Sequence, residues 1–312
     1  MITPLGSVQR ASIMDHYDDL DSFYREIWGE HVHHGLWRSG REKAELAVQD
    51  LVRYVAERIG VQHGDRVVDI GSGYGASARL LVHELGVQVT ALTISPAQFA
   101  FACSIKPGAA NQTYLLCDWL ENSLPGAYFD QALAIESTEH MEDKARAFSE
   151  IFRVLCPGGC MAVCAWMACE RTQPWEVRHL LEPICREGRL AGMGTELDYR
   201  TLMQAAGLEV LQVEDLTEMV KPTWRLCIGR VARRIVSDRR FRNYLLDARS
   251  RNRVFLRTMV RIWAAYELGA MKYLLFVARR PNRGRLTIHP ALAADTKMPV
   301  SSKLQHPVTV QR

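Results

Sequence analysis

No stretch of this chain approaches the ~18–20 consecutive apolar residues that a membrane span requires. Its first residues, MITPLGSVQRASIMDHYDD, lack the basic n-region and apolar h-region of a secretory signal. A cytoplasmic location is the expectation from these absences. None of the eight cysteines forms a C-x-x-C pair, the spacing that many structural zinc sites use. Cys117, Cys160 and Cys164 lie instead in strand-like apolar runs, where a free thiol behaves as a small hydrophobe. The histidine cluster His31, His33 and His34 has no cysteine beside it and only Glu30 as an acid. That set falls short of a ligand sphere, and no metal is expected. Aromatic and basic residues are not interleaved as on an RNA-binding sheet, so nucleic acid is not an expected partner. Internal repeats are also lacking.

What is there is an ordinary globular composition, 48% hydrophobic and 24% charged over 312 residues with a net charge of +4. That length suffices for one large α/β domain or two small ones. The most informative segment is 66–76, RVVDIGSGYGA. Val67, Val68 and Ile70 have the composition of a buried parallel strand. Gly71, Gly73 and Gly75 then allow a tight turn and a close approach of backbone to ligand. A helix follows over 76–85, with apolar Ala78, Leu81, Val82 and Leu85 on one face. The result is a strand, a glycine loop and a helix N-terminus with free N–H groups for a polar ligand. A dinucleotide fingerprint would read G-x-G-x-x-G, whereas this loop reads G-x-G-x-G, with Asp69 two residues upstream.

Strand and helix signals alternate from 66 to 209, the mark of βαβ units and a parallel sheet. Further strands are expected over 87–93, 113–117, 131–135, from the turn at 157–159 through 168, over 208–213 and over 273–278. Helices are expected from Pro96 and over 144–155. Three stretches fall outside that core: a helical N-terminal extension within 1–60, and insertions at 170–200 and 220–268 of the 61–280 domain. Insertions at the carboxyl ends of the strands would cover the ligand site. Residues 281–312 have no periodicity and read as a disordered tail.

The glycine loop resembles the first motif of the class I S-adenosylmethionine-dependent methyltransferases. That resemblance implies a Rossmann-like, doubly wound α/β sheet of seven strands, the last antiparallel, with helical lids, and S-adenosylmethionine as cofactor. It assigns Asp69, Gly71, Ser72, Gly73 and Gly75 to the cofactor. At the end of the second strand many such enzymes place an acid, but here the chain reads Thr93-Ile-Ser-Pro-Ala-Gln98. This is similar to the T-[IL]-S-x-x-Q segment of the subgroup holding tocopherol methyltransferases and cyclopropane-fatty-acid synthases. The likeness assigns Thr93 and Gln98 to the ribose, which a hydroxyl and an amide can both bond, and leaves Ser95 as a helix cap. It places Asp118 against adenine, with Trp119 packed on the ring.

The fourth strand ends Ile135-Glu-Ser-Thr-Glu-His-Met141, similar to the E-S-x-E-H-M segment of the tocopherol-type enzymes. Glu136 is expected at the cofactor. Glu139 is the candidate general base or cation stabiliser, with His140 beside it as a second proton acceptor. The alternative is that both only cap the helix starting near Asp143. The segment W-G-x-H-x-H-H-G around His33 and His34 resembles the lid of the same enzymes. His33 is therefore expected at the cofactor and His34 at the catalytic centre. Together the similar motifs cover roughly 15–170 and the final strand.

The implied activity is methyl transfer to a small, largely apolar acceptor such as a quinol, phenol or terpenoid. Trp175, Trp224, Phe255, Trp263 and Tyr266 would supply an apolar pocket, with core packing as the alternative. From Arg225 to Arg261 twelve arginines face only Asp238 and Asp247. This amphipathic segment reads as a solvated helical face, with peripheral membrane contact or a phosphate-bearing substrate as the sharper alternatives. A cyclopropane-type lipid-modifying enzyme and a non-catalytic binding module remain as rival functions.

Overall fold

A computed structural model of the chain describes residues 1–4, 13, 25–105, 111–239, 242–243 and 253–282, the last stretch with side chains from 257. The expected disordered tail lies, from residue 283, outside the described residues, and so does the Phe255 side chain.

Seven strands form one sheet: β1 (Arg66–Ile70), β2 (Gln88–Thr93), β3 (Gln112–Leu116), β4 (Phe129–Ile135), β5 (Leu155–Ala168), β6 (Glu209–Asp215) and β7 (Met271–Arg279). Their order is β3-β2-β1-β4-β5-β7-β6. The first five pair in parallel, whereas β7 runs antiparallel to β5 and β6. The expected seven-stranded Rossmann-like sheet is the observed one. Strand ends differ from the sequence reading by a residue or two. β6, for example, continues past its apolar alternation to Asp215 because β7 still pairs with it, Asp215 opposite Leu274.

The main helices are α1 (Ala44–Arg58), α2 (Ala76–Leu85), α3 (Pro96–Ser104), α4 (Lys144–Val154), α5 (Glu182–Glu187), α6 (Glu196–Ala205), α7 (Pro222–Ser237) and α8 (Arg253–Glu267). Adjacent apolar residues of a strand point to opposite faces, so β1 feeds two cores. Val67 joins Val89 and Leu133 under Leu51, Val52 and Val55 of α1 and Leu81 of α2. Val68 and Ile70 join Leu92 and Ala134 under Phe148 and Ile151 of α4. Each such fully buried side chain contributes ~1.5–3 kcal/mol, and burial on both faces is what parallel strands demand.

The 170–200 insertion is helical, running from Pro174–Glu176 through a π turn at Val177–Leu181 into α5. α7 and α8 lie in the 220–268 insertion and pack on each other. The N-terminal extension is helical over 25–27 and at α1. Between residue 28 and α1 the chain is an irregular strap, with Gly29 and Gly40 at positive φ. A Cβ at Gly35 would stand 2.8 Å from the Cβ of Ala47, so the strap lies too close to α1 for any larger residue there.

Candidate active site

The carboxyl ends of β1 to β4 converge where the strand order reverses, between β1 and β4. Open α/β sheets hold their ligands at this point. A cavity of about 360 Å³ opens there. Asp69, Gly71, Ser72, Gly73, Thr93, Gln98, Asp118, Trp119, Glu136, His33 and His140 all line it. Gly75, Glu139 and His34 are outside its lining, and each has a physical reason to be.

β1 delivers Asp69 to the floor. The carboxyl is 4% exposed, its Oδ2 has no hydrogen-bond partner, and desolvation pushes its pKa up to about 7. Gly71 and Gly75 both adopt positive φ. A Cβ on Gly71 would sit 2.4 Å from the Ser137 Cβ, and one on Gly75 would sit 2.5 Å from the Tyr114 ring. Gly75 thus serves packing against Tyr114 and opens α2. At Gly73 the nearest atom to a Cβ is the Gln98 amide nitrogen, at 3.9 Å, so this is the open glycine of the three. Ser72 is fixed by its N–H to the Leu92 carbonyl at 2.8 Å.

At the end of β2 the Thr93 hydroxyl donates to Gln98 Oε1 at 2.9 Å, inside the protein. That bond orients both side chains on the cavity wall. Ser95 caps α3, its hydroxyl accepting from the Gln98 N–H. After β3, Asp118 caps a short turn by accepting from the Leu120 N–H at 2.9 Å, while Trp119 is buried and its indole N–H donates to the Ala147 carbonyl at 3.0 Å. Trp119 therefore ties this wall to α4 while presenting ring surface to the cavity.

The turn after β4 sends consecutive side chains different ways. Glu136 has φ +54, a left-handed conformation rare for a residue with a Cβ. The Ser137 hydroxyl donates back to the Ile70 carbonyl at 2.6 Å. Thr138 bonds the Tyr199 hydroxyl at 3.0 Å. Glu139 points under the turn, where the Trp166 N–H donates to its Oε1 at 2.7 Å and the Thr138 hydroxyl to Oε2 at 3.3 Å. Burial pushes its pKa up to about 7. His140 faces the cavity. Its Nδ1 lies 3.0 Å from the Arg189 carbonyl, which can only accept, so Nδ1 carries the proton and Nε2 is the acceptor nitrogen. Burial holds its pKa down at about 4, and the ring is neutral at physiological pH. The cap of α4 is Asp143, which accepts from the Arg146 N–H; neither Glu139 nor His140 caps it.

The strap covers the cavity with Glu30, His31, Val32 and His33. His33 Nδ1 donates to the His34 carbonyl at 2.8 Å, which leaves its Nε2 to accept from His31 Nδ1 at 3.1 Å. Burial lowers the pKa of both rings. His34 faces the body of the protein. It is ringed by Trp166, Trp224, Tyr266 and Tyr273 at centroid distances of 5.4, 5.5, 5.8 and 4.9 Å. Trp224 and Tyr266 are thus core residues and line no wall of this cavity, while Trp175 and Trp263 are exposed. Trp166 and Tyr273 were not read from the sequence as site residues. Their signal was present only in the register, since they are paired opposite each other on β5 and β7. No metal-ligating cluster occurs among the described residues, and no described helix is long and apolar enough to cross a membrane.

A family model described as mycolic acid cyclopropane synthetase matches residues 7–245. The chain is 30% identical over 238 residues to a chloroplastic tocopherol O-methyltransferase of Arabidopsis thaliana, covering 69% of this chain and 68% of that protein. It is 28% identical to a 27-O-demethylrifamycin SV methyltransferase of Amycolatopsis mediterranei (strain S699), covering 85% and 96%. Among solved structures, a mycolic acid cyclopropane synthase complexed with SAH and CTAB has the same fold, with a TM-score of 0.76, 19% identity, and 86% and 97% coverage. The chain belongs to the mycolic acid cyclopropane synthetase family and is an S-adenosylmethionine-dependent methyltransferase.

Proposed function

We propose that the protein methylates a small, largely apolar acceptor, a quinol, phenol or terpenoid, with the cofactor held at the carboxyl ends of β1 to β4. Asp69 carries this reading. A buried carboxylate with an orphan oxygen is costly unless a cation meets it, and the cofactor brings an ammonium and a sulfonium. Asp69 and the 71–73 loop would hold its amino-acid end, Thr93 and Gln98 its ribose, and Asp118 its adenine. S-adenosylmethionine supplies a methyl group already activated on a sulfonium. The residues here therefore orient the partners and exclude water, which is worth ~7–11 kcal/mol.

His140 is the side chain best placed to take a proton from an acceptor, because it lines the cavity as a neutral ring. Glu139, engaged through both oxygens beneath the turn, would hold that turn in shape. The names of the tocopherol and rifamycin relatives support an apolar acceptor. Eight free thiols fit a reducing compartment such as the cytoplasm. The arginine-rich segment is partly neutralised within the chain: Arg230 pairs with Glu45, Arg234 with Glu26 and Arg261 with Glu187. Among the described residues, exposed Arg225, Arg233, Arg239 and Arg257 would be available for peripheral membrane contact.

The test is incubation with methyl-labelled cofactor and a panel of quinols, phenols and terpenoids, for wild type and His140→Ala. Transfer is expected, with turnover lowered ~10²–10⁴-fold in the variant and cofactor affinity within a few-fold. Unchanged turnover would remove His140 as the base and point to an acceptor already nucleophilic at neutral pH. The family description keeps cyclopropane formation as a second reading. Both reactions add CH2, but only ring closure consumes a double bond, so the product's unsaturation separates them.

A further inference from the structure

Glu136 lines the cavity, yet its carboxylate is fully committed elsewhere. Oε1 accepts from the His34 backbone N–H at 2.7 Å, from His34 Nδ1 at 2.9 Å and from the Tyr273 hydroxyl at 2.8 Å. Oε2 accepts from the Trp166 indole N–H at 2.8 Å. These donors come from the strap, from β5 and from β7. A fourth element joins through His34, whose Nε2 accepts from the Trp224 indole of α7 at 2.6 Å. Since Nε2 is an acceptor, His34 is the neutral tautomer and the contact with Glu136 is a charge-assisted hydrogen bond. Burial disfavours the Glu136 carboxylate, but its interactions with His34 and His33 outweigh that and hold its pKa down at about 2. The carboxylate is charged at every working pH.

The backbone adds an independent observation. Glu136 sits at φ +54, where a glycine would be at ease and a glutamate is strained. Its N–H bonds the Cys164 carbonyl at 2.9 Å, which fixes the turn to β5. The side chain is thereby aimed back over the sheet edge at His34, next to the cavity-covering residues 30–33.

We infer that Glu136 is a positioning residue that anchors the 30–37 strap over the cofactor cavity, so that its carboxylate sets how long the cofactor stays bound without contacting it. This rests on the cofactor reading above. Apart from the His34–Trp224 bond, two other side-chain ties link the strap to the body among the described residues. One is Glu30 with Arg79, and Glu30 is half-exposed, where salt screens the pair. The other is Thr223, which takes the Gly35 N–H and the Trp37 indole N–H. The buried anchor at Glu136 stands between them.

The experiment compares wild type, Glu136→Gln and the milder Tyr273→Phe by amide hydrogen exchange without cofactor, and by chase of bound S-adenosylhomocysteine. The glutamine keeps the shape but presents a donor where Trp166 N–H needs an acceptor. Faster exchange over 31–37 and a cofactor off-rate raised tenfold or more are expected in Glu136→Gln, with about threefold in Tyr273→Phe. The kcat at saturating cofactor should fall less than kcat/KM for the cofactor. If Glu136→Gln does not fold, Tyr273→Phe decides alone. Unchanged exchange over 31–37 in the folded variants would overturn the inference. So would a slower on-rate with unchanged exchange, which would make Glu136 a direct cofactor ligand. If wild type binds no S-adenosylhomocysteine, the cofactor reading fails, while the exchange comparison still judges the anchor.

Discussion

At the scale of single residues, the carboxyl edge of the sheet holds acids in two opposed states. Glu136 is kept ionised by four donors. Glu139, three residues on, has two donors and deep burial, and its pKa rises to about 7. A carboxyl whose folded pKa is raised stabilises the fold below its unfolded value, near 4.5, and loses that contribution as pH rises to about 7. Glu139→Gln removes the penalty of ionisation. The melting temperature of the variant relative to wild type should therefore increase between pH 4.5 and 7, with an upper bound of roughly 3 kcal/mol in stability at the alkaline end. A difference independent of pH across that window would mean the carboxyl is not desolvated as described. His140 and His31 titrate in the opposite sense. Their pKa values are lowered, so stability present above about 6.5 is lost as pH falls, and comparing the variant with wild type at each pH cancels that slope.

At the scale of elements, the strap depends on α7. Thr223 Oγ1 takes the Gly35 N–H at 3.0 Å and the Trp37 indole N–H at 2.9 Å, both buried. Thr223→Val keeps the volume and strands two donors, which should cost ~2–4 kcal/mol in denaturant unfolding; a loss within a few tenths of a kcal/mol would show that the strap repacks freely. The sheet was legible because short apolar runs bounded by Gly71, Pro96 and Gly207 are local signals. α2 was legible to the residue, since its apolar spacing follows a glycine that can open a helix. The strap was not. Its form is set by Gly35 lying on Ala47 and by Thr223, partners about ten and nearly two hundred positions away. The roles around β4 were half legible. The polar run 136–140 marked a site, but a tight turn at Glu136 decides which of its side chains face the cavity, and one residue of phase separates His140 from Glu139. Likewise Trp166 and Tyr273 become neighbours only through the antiparallel register of β5 and β7.

At the scale of the whole molecule, charge is sorted. The chain carries +4 overall, yet the cavity presents Asp69, Asp118 and Glu136 among its walls, while twelve arginines gather in the 225–261 segment. A cationic ligand is drawn to such a cavity, and Asp69 gives the attraction a measurable signature. In the unliganded protein its pKa stands at about 7. Pairing with a cation requires the carboxylate, so binding below that pH must release a proton. Calorimetry of S-adenosylhomocysteine binding at pH 6 and pH 8, in buffers of different ionisation enthalpy, tests the central claim for wild type and Asp69→Asn. The account predicts binding with up to one proton released at pH 6 and almost none at pH 8. Asp69→Asn should bind roughly ten- to a hundred-fold more weakly and release no proton. Binding of NAD in place of S-adenosylhomocysteine, or an unchanged affinity and proton release in Asp69→Asn, would contradict it.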